Sequence, residues 1–169
     1  QTIFGYRGQV RRVLLVDDDI SHRQLMRALL APLGFDVAEL DNPLLVIDWL
    51  TQHAAEETAP DLLLLDVSMP GMNGWQLLQA LRSHSFNQPV IMVSADASEG
   101  KDSEFSPADN APLHNAYVIK PVRVPILLDH IGRLLNLTWC YDDTAPTRAS
   151  EIDGSNSLAR QQIIASDEI

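Results

Sequence analysis

Five short apolar runs recur along the chain, and polar turns or amphipathic stretches separate them. Residues 13–16, 62–65 and 90–93 are apolar at every position, which is typical of parallel strands that are buried on both faces. Two further short strands are predicted, at residues 35–40, where apolar and polar positions alternate, and at residues 117–119. Because helical patterns alternate with these runs, the sequence predicts an α/β fold, namely a doubly wound, five-stranded parallel sheet with helices on both faces.

The stretches between the strands carry helix start and stop signals. Residues 20–33 place leucine and methionine on one stripe, with Asp19 predicted as the N-cap and Gly34 as the residue that closes the helix. Further helices are predicted from Asn42-Pro43 to about residue 55, from Asn73-Gly74, and from Pro125.

Composition narrows the classes of function. The chain has 169 residues, 46% of them hydrophobic, and its net charge of −11 leaves no basic stripe for direct binding of nucleic acid. A single cysteine, Cys140, excludes an internal disulfide and multi-cysteine zinc patterns. The sequence contains no membrane-spanning run and no signal-peptide pattern, so we expect a cytoplasmic domain without membrane contact, and membrane anchoring of a parent protein is left open.

Four of the five predicted strands are followed by polar side chains: Asp17 and Asp18, Asp66, Ser94, and Lys120. In a parallel sheet these strand ends share one edge, so the side chains can converge. Crowded carboxylates require a cation, and their oxygens suit Mg²⁺. A carboxylate is an accepted phosphoryl nucleophile, while an amine and a hydroxyl position and neutralise the transferred group. The pattern therefore predicts metal-assisted phosphoryl transfer onto Asp66.

Four motifs lie on these strand ends: Val-Asp-Asp (16–18), Asp-Val-Ser-Met-Pro-Gly-Met-Asn-Gly (66–74), Val-Ser-Ala (93–95) and Tyr-Val-Ile-Lys-Pro (117–121). In this order, they make residues 12–137 resemble the receiver domain of two-component response regulators. The resemblance implies a flavodoxin-like receiver fold with strand order 2-1-3-4-5. We expect residues 1–11 to be a linker and residues 138–169 to be a largely polar, flexible extension.

The resemblance also implies a metal and acceptor set. Asp66 would be phosphorylated by the phosphohistidine of a histidine kinase, as part of a phosphorelay that switches partner interactions. Asp18, Asp66 and the backbone carbonyl of Ser68 would hold Mg²⁺, and Asp17 would act through a water molecule. The third aspartate of the run, Asp19, is predicted to cap the helix rather than to bind the metal.

A second set of residues would bind the phosphoryl group and respond to it. Ser94, Ala95 and Lys120 form the predicted phosphoryl-binding set, with Ser94 and Lys120 also in the catalytic group. Ser94 and Tyr117 are the predicted switch pair, because Tyr117 would swing inward when Ser94 moves.

Two departures from the family pattern bear on the output of the domain. The segment from Ser94 to Lys120 is a few residues longer than usual, and residues 98–115 are poor in helix formers, so an irregular helix or a loop is predicted there. Ser68 and Asp96 stand at the positions that flank the attacking water in dephosphorylation. A short hydroxyl at residue 68 predicts slow loss of the phosphoryl group.

The expected partners are a histidine kinase domain, in cis or in trans, or a histidine phosphotransfer protein, with a weak homodimer left open. The chain begins with Gln1 and contains Gly-Tyr-Arg-Gly (5–8), which resembles the carboxyl-terminal receiver of a hybrid sensor histidine kinase. We expect no enzymatic activity of the isolated domain beyond its own phosphorylation and dephosphorylation.

The same residues fit other classes of protein less well. A haloacid-dehalogenase-type phosphatase requires a second aspartate where Ser68 stands, and a nuclease using Asp17 and Asp19 leaves Lys120 unexplained. A pseudo-receiver that serves only for docking remains an alternative. No Gly-x-Gly-x-x-Gly follows the first strand, which excludes a dinucleotide-binding domain. The histidines, at positions 22, 53, 84, 114 and 130, are predicted to be surface residues.

Overall fold

A computed structural model describes residues 2–55, 57–97 and 113–142. In chain order, the strands and α-helices in these ranges are β1 (Thr2–Tyr6), β2 (Arg12–Val16), α1 (Ile20–Leu30), β3 (Asp36–Leu40), α2 (Val46–Gln52), β4 (Leu62–Asp66), α3 (Gly74–Ser83), β5 (Val90–Ser94), β6 (Ala116–Ile119), α4 (Val124–Leu135) and β7 (Trp139–Asp142).

The central sheet contains five parallel strands in the order β3-β2-β4-β5-β6. Counted from β2 as the first strand, this is the order 2-1-3-4-5, so the predicted fold class is confirmed. In the register, Val16 lies beside Leu65, Asp66 beside Val93, and Ser94 beside Ile119. The carboxyl ends of four strands therefore stop at nearly the same level and share one edge.

Both faces of the sheet are covered, as the uninterrupted apolar strands predict. Alternate strand residues point to opposite faces. On one face, strand residues such as Leu63 and Leu65 are in a core cluster with residues of α2 and α3, including Leu50 and Leu77. On the other face, α1 and α4 bury Met26, Leu30, Leu127 and Ile131. This two-sided burial holds the strand ends in place under the site.

The helices begin and end at residues that the sequence identifies. The side chain of Asp19 accepts a hydrogen bond from the Ser21 amide and begins α1, as predicted. Gly34 closes the short 3-10 turn after α1 with φ of +104°, in the left-handed region. Asn73 and Gln76 form a reciprocal capping box at the start of α3.

A glycine is required where α3 starts. A Cβ atom at Gly74 would overlap the backbone carbonyl oxygen of Asp66 and would lie 2.9 Å from both the Cα of Val67 and the Cε of Met92. The Gly74 amide also donates a hydrogen bond of 2.9 Å to the Val67 carbonyl. The first turn of α3 is thus held directly against the carboxyl end of β4.

The predicted linker at residues 1–11 is wrong over part of its length, because Thr2–Tyr6 is strand β1, which pairs with β7 in a two-stranded sheet. Within residues 4–140, the rings of Tyr6, Phe35 and Trp139 form an aromatic cluster. The Tyr6 hydroxyl donates to the carbonyl of Gly34. The alternation of apolar and polar residues in β1 is too short to distinguish a strand from a turn. The strand it pairs with, β7, lies more than 130 residues further along the chain.

Most of the segment predicted to be irregular, residues 98–112, and the tail at 143–169 lie outside the described residues. A search of the described helices finds none that has the length and apolarity needed to cross a bilayer.

Candidate functional site

The strand ends deliver two buried carboxylates to the edge of the sheet. Asp17, directly after β2, and Asp66, the last residue of β4, are 4% and 5% exposed. The Asp17 amide donates to the Leu40 carbonyl, and the Val67 amide donates to the Val93 carbonyl. The backbone on each side of the site is therefore still tied to the neighbouring strand, and the carboxylates are fixed by the sheet.

Three carboxylates and one amine meet at this edge. Oxygens of Asp17, Asp18 and Asp66 lie within 4.8 Å of one another. The Nζ atom of Lys120 is 3.1 Å from Oδ1 of Asp66 and 3.8 Å from Oδ2 of Asp17. The Lys120 amide donates a 2.7 Å hydrogen bond to the Ser94 carbonyl, which fixes the base of the lysine side chain. Residues from three segments that are far apart in sequence are thus brought together, as their positions after strands predict.

The two buried carboxylates are perturbed in opposite directions. Burial and the negative charge of Asp17 raise the pKa of Asp66, although Lys120 opposes this change. Burial would also raise the pKa of Asp17, but hydrogen bonds from His22 and from the Asp19 amide, together with the charge of Lys120, outweigh burial and lower the pKa of that carboxyl. Of these two carboxylates, Asp66 is therefore the one whose ionisation is disfavoured.

The donor set suits a hard divalent cation. Carboxylate oxygens, with water and phosphate oxygens, are the ligands that Mg²⁺ prefers. Asp18 is exposed, so the cluster is open to solvent on one side while Asp17 and Asp66 are buried. One lysine cannot neutralise three carboxylates, and the remaining negative charge favours a cation at this position.

The remaining residues that are predicted to bind the phosphoryl group or to act as the switch lie at the same edge. Ser94 ends β5 and is 2% exposed, and its Oγ accepts a 3.0 Å hydrogen bond from the Asp96 amide. Ala95 follows Ser94 and is exposed. The hydroxyl of Tyr117 donates to the Asp96 carbonyl, and its ring is stacked on Trp75 with 6.1 Å between ring centroids. The inward movement of Tyr117 stays a prediction.

Ser68 lies where the sequence places it, two residues after Asp66 in the loop that leads to α3. Its side chain is exposed and lines an open groove with Met69, Pro70 and Trp75. The proposed role of its carbonyl as a metal ligand stays a prediction.

The sequence reasoning missed His22. Its side chain is 14% exposed, and its Nδ1 contacts Oδ2 of Asp17, so the prediction of a surface residue is wrong here. His114 is likewise half-buried, edge-on against the rings of Trp75 and Tyr117. The clue to His22 was its place in the first turn of α1, directly after the acidic run, but spacing alone does not show which way a side chain in that turn points.

Comparison with known proteins agrees with this geometry. The sequence profile of the family described as response regulator receiver domain matches residues 13–131. The chain belongs to this family. It is 33% identical over 126 residues to a chemotaxis protein CheY of Pseudomonas aeruginosa, covering 73% of this chain and 94% of that protein.

Two further comparisons show how much of each relative is similar to this chain. The DNA-binding response regulator MtrA of Mycolicibacterium paratuberculosis is 36% identical over 85 residues, which cover 50% of this chain but 35% of MtrA. A response regulator receiver domain protein of Methanospirillum hungatei is similar in structure, with a TM-score of 0.62, 27% identity, and coverage of 76% of this chain and 95% of that one. The similarity to MtrA thus spans about a third of that relative's length, whereas the CheY protein is matched almost completely.

Proposed function

We propose that this receiver domain accepts a phosphoryl group on Asp66. The observation that carries the proposal is the ion pair of 3.1 Å between Lys120 and a buried carboxylate that is grouped with two others. This arrangement supplies a nucleophile, a fixed cation for the transferred group, and a place for a second cation.

In the proposed reaction, a carboxylate oxygen of Asp66 attacks the phosphorus atom of a phosphohistidine. A P–O bond forms, the P–N bond breaks, and the departing imidazole nitrogen keeps the electron pair and takes up a proton. Lys120 lies where its ammonium group can pair with the phosphoryl oxygens once they are attached to Asp66. The Ser94 hydroxyl and the Ala95 amide complete the phosphoryl-binding set.

Asp17, Asp18 and Asp66, with the carbonyl of Ser68, are the residues that would hold Mg²⁺. When bound, Mg²⁺ neutralises part of the charge on the phosphoryl oxygens. The grouping of three carboxylates around one lysine supports this assignment, because it leaves negative charge that the lysine does not compensate.

The proposed partners are a histidine kinase domain or a histidine phosphotransfer protein, since the transferred group comes from a phosphohistidine. The placement of this domain in a hybrid kinase and its cytoplasmic location stay predictions. We keep residues 12–137 as the proposed extent of the receiver.

Incubation with acetyl phosphate and Mg²⁺, followed by intact mass measurement, tests the proposal. We expect the wild-type chain to gain one phosphoryl group and Asp66→Asn to gain none. An exposed aspartate of α4, replaced as Asp129→Asn, serves as the matched control and should be phosphorylated like the wild type. Wild-type protein that never gains mass would identify a docking-only domain, while rapid consumption of acetyl phosphate without an adduct would favour a phosphatase.

A further inference from the structure

His22 has a contact that the proposed chemistry does not use. It lies in the first turn of α1, and its Nδ1 contacts Oδ2 of Asp17. Both side chains are shielded, with 14% of His22 and 6% of Asp17 exposed. In such a shielded place, either the ring nitrogen or the carboxyl oxygen must carry the hydrogen that joins them, and the surroundings of the ring show which one does.

The contact identifies the tautomer of the ring. A bare Nδ1 lone pair would face the lone pairs of a carboxylate, so Nδ1 must carry the hydrogen and donate it to Asp17. The other ring nitrogen, Nε2, is buried and has no hydrogen-bond partner among the described residues. A hydrogen on Nε2 would lack an acceptor there, so the contacts favour placing the ring hydrogen on Nδ1.

This donation completes the set of groups that hold Asp17. Its Oδ1 accepts the Asp19 amide at 2.9 Å, and its backbone carbonyl accepts Nη1 of Arg23 at 2.6 Å. Oδ2 is the remaining side-chain acceptor, and His22 donates to it. Asp17 is therefore held at three points by the chain just after it, from residues 19 to 23.

The same contact decides where Lys120 goes. Its Nζ atom is 3.8 Å from Oδ2 of Asp17, the oxygen that His22 contacts, and 3.1 Å from Asp66. The donation from His22 occupies Oδ2 of Asp17, so the ammonium group has its nearer partner in Oδ1 of Asp66. His22 thus favours the position of Lys120 on Asp66.

We propose that His22 is a positioning residue for the acidic cluster: it fixes the Asp17 carboxylate for the divalent cation and leaves Lys120 to Asp66. This inference rests on the proposed function, since it concerns the same cation. Groups that hydrogen-bond to metal ligands typically change metal affinity by about tenfold to a hundredfold when they are removed.

The test compares Mg²⁺ binding by isothermal titration calorimetry in the wild type, His22→Leu and His22→Asn. We expect His22→Leu to bind Mg²⁺ about tenfold more weakly, because Asp17 loses its fixed orientation. His22→Asn should stay within about twofold of the wild type, since an asparagine amide can donate from nearly the same place as Nδ1. His84→Leu, which replaces an exposed histidine at the end of α3, is the matched control and should bind like the wild type.

A second measurement does not involve the cation. In metal-free protein, long-range ¹H–¹⁵N NMR spectra should show the pattern of a His22 ring protonated at Nδ1. If the ring only filled space, His22→Asn would not retain wild-type Mg²⁺ affinity. Thermal unfolding of each variant shows whether a lower affinity reflects loss of the fold.

The outcomes are distinguishable from failure of the proposed function. Unchanged or tighter Mg²⁺ binding by a folded His22→Leu variant, failure of His22→Asn to rescue, or an Nε2-protonated ring would overturn the role of His22 while wild-type phosphorylation stands. Wild-type protein that binds no Mg²⁺ would overturn both the positioning role and the metal part of the proposed function.

Discussion

Among the described residues, each end of the central sheet holds charged side chains that are partly or fully shielded from solvent, but only one end pairs all of them. At the amino ends of β5 and β6, Arg82 donates five hydrogen bonds to oxygens of residues that precede these strands. The acceptors are the carbonyls of Phe86, Gln88 and Leu113 and the side chain of Asn115. Since a guanidinium group has five N–H donors, every one of them is used.

At the carboxyl end, charge is in excess and unmatched. Three carboxylates are grouped around one ammonium group, and the pKa of Asp66 is raised by burial and by its acidic neighbour. Burial alone lowers the pKa of Arg82, whereas repulsion between like charges adds to burial at Asp66. The comparison teaches that a charge with all its hydrogen bonds satisfied serves the fold, while a cluster of unmatched charges is what the proposed cation site requires.

The largest effect that tests this contrast is on stability. Arg82→Met should lower the free energy of unfolding by about 3 kcal/mol, because several partly buried carbonyl oxygens lose their donor. Urea unfolding measures this loss. The phosphorylation rate of the folded fraction should change by less than about twofold, since the chemistry lies at the other edge.

Arg133→Met is the matched control, because Arg133 is exposed on α4. It should change the free energy of unfolding by no more than about 0.5 kcal/mol. Equal effects at positions 82 and 133 would contradict a structural role for the Arg82 hydrogen bonds.

The next effect is on chemistry. Lys120→Met keeps most of the aliphatic stem but removes the charge, and we expect phosphorylation by acetyl phosphate to slow by about a hundredfold, the usual cost of losing one group that stabilises transition-state charge. Stability should change by no more than about 1 kcal/mol, since Lys120 is partly exposed. The rate of adduct formation, followed by intact mass, is the measurement.

Arg123→Met tests whether any nearby cation would serve. Arg123 is exposed at the start of α4, three residues beyond Lys120. Its loss should alter the phosphorylation rate by less than about twofold, since its charge is screened by solvent. If Lys120→Met unfolds the domain as Arg82→Met does, the contrast between the two edges is lost.

The smallest effect concerns the cost of the acidic cluster. The folded-state pKa of Asp66 is raised, so ionisation of Asp66 disfavours the folded state once the pH exceeds its ordinary value of 3.8, and the cost is complete above the raised pKa. In EDTA at neutral pH, Asp66→Asn should therefore be more stable than the wild type, on the order of 1 kcal/mol.

Urea unfolding at several pH values checks the sign. The stability advantage of Asp66→Asn should shrink as the pH falls below the raised pKa. It should disappear below 3.8, where the Asp66 carboxyl of the wild type is protonated in both the folded and the unfolded state. Added Mg²⁺ should stabilise the wild type more than the variant, because it neutralises the carboxylate that the variant lacks. A variant that is less stable than the wild type at neutral pH would show that Asp66 is not under electrostatic strain.

Local signals explain why much of the fold was predictable. Asp19, Asn42 and Asn73 each accept a hydrogen bond from the first turn of the helix that follows, and Gly34 adopts the left-handed conformation that ends a helix. These effects depend on neighbouring residues only. The carboxylates and Lys120 were equally predictable, since a residue just after a buried parallel strand can lie only at the edge of the sheet.

Contacts between distant segments were not predictable in the same way. Strand β1 pairs with β7, Trp139 lies against Gly132 and Phe35, and Arg82 reaches the carbonyl of Leu113, 31 residues away. Each contact depends on where two chain segments pass each other, and no period or cap in the sequence records that distance.

The sequence by itself determined the five strands of the central sheet, their shared direction, and therefore which acidic and basic residues gather at one edge, because periodicity and capping are local properties of the chain. Only the tertiary structure decided that His22 points at Asp17, that Lys120 lies closer to Asp66 than to Asp17, and that Asp66 rather than Asp17 is the carboxylate whose ionisation is disfavoured. Those outcomes depend on distances of a few ångströms and on burial, which arise only when the packed sheet and helices bring the side chains together.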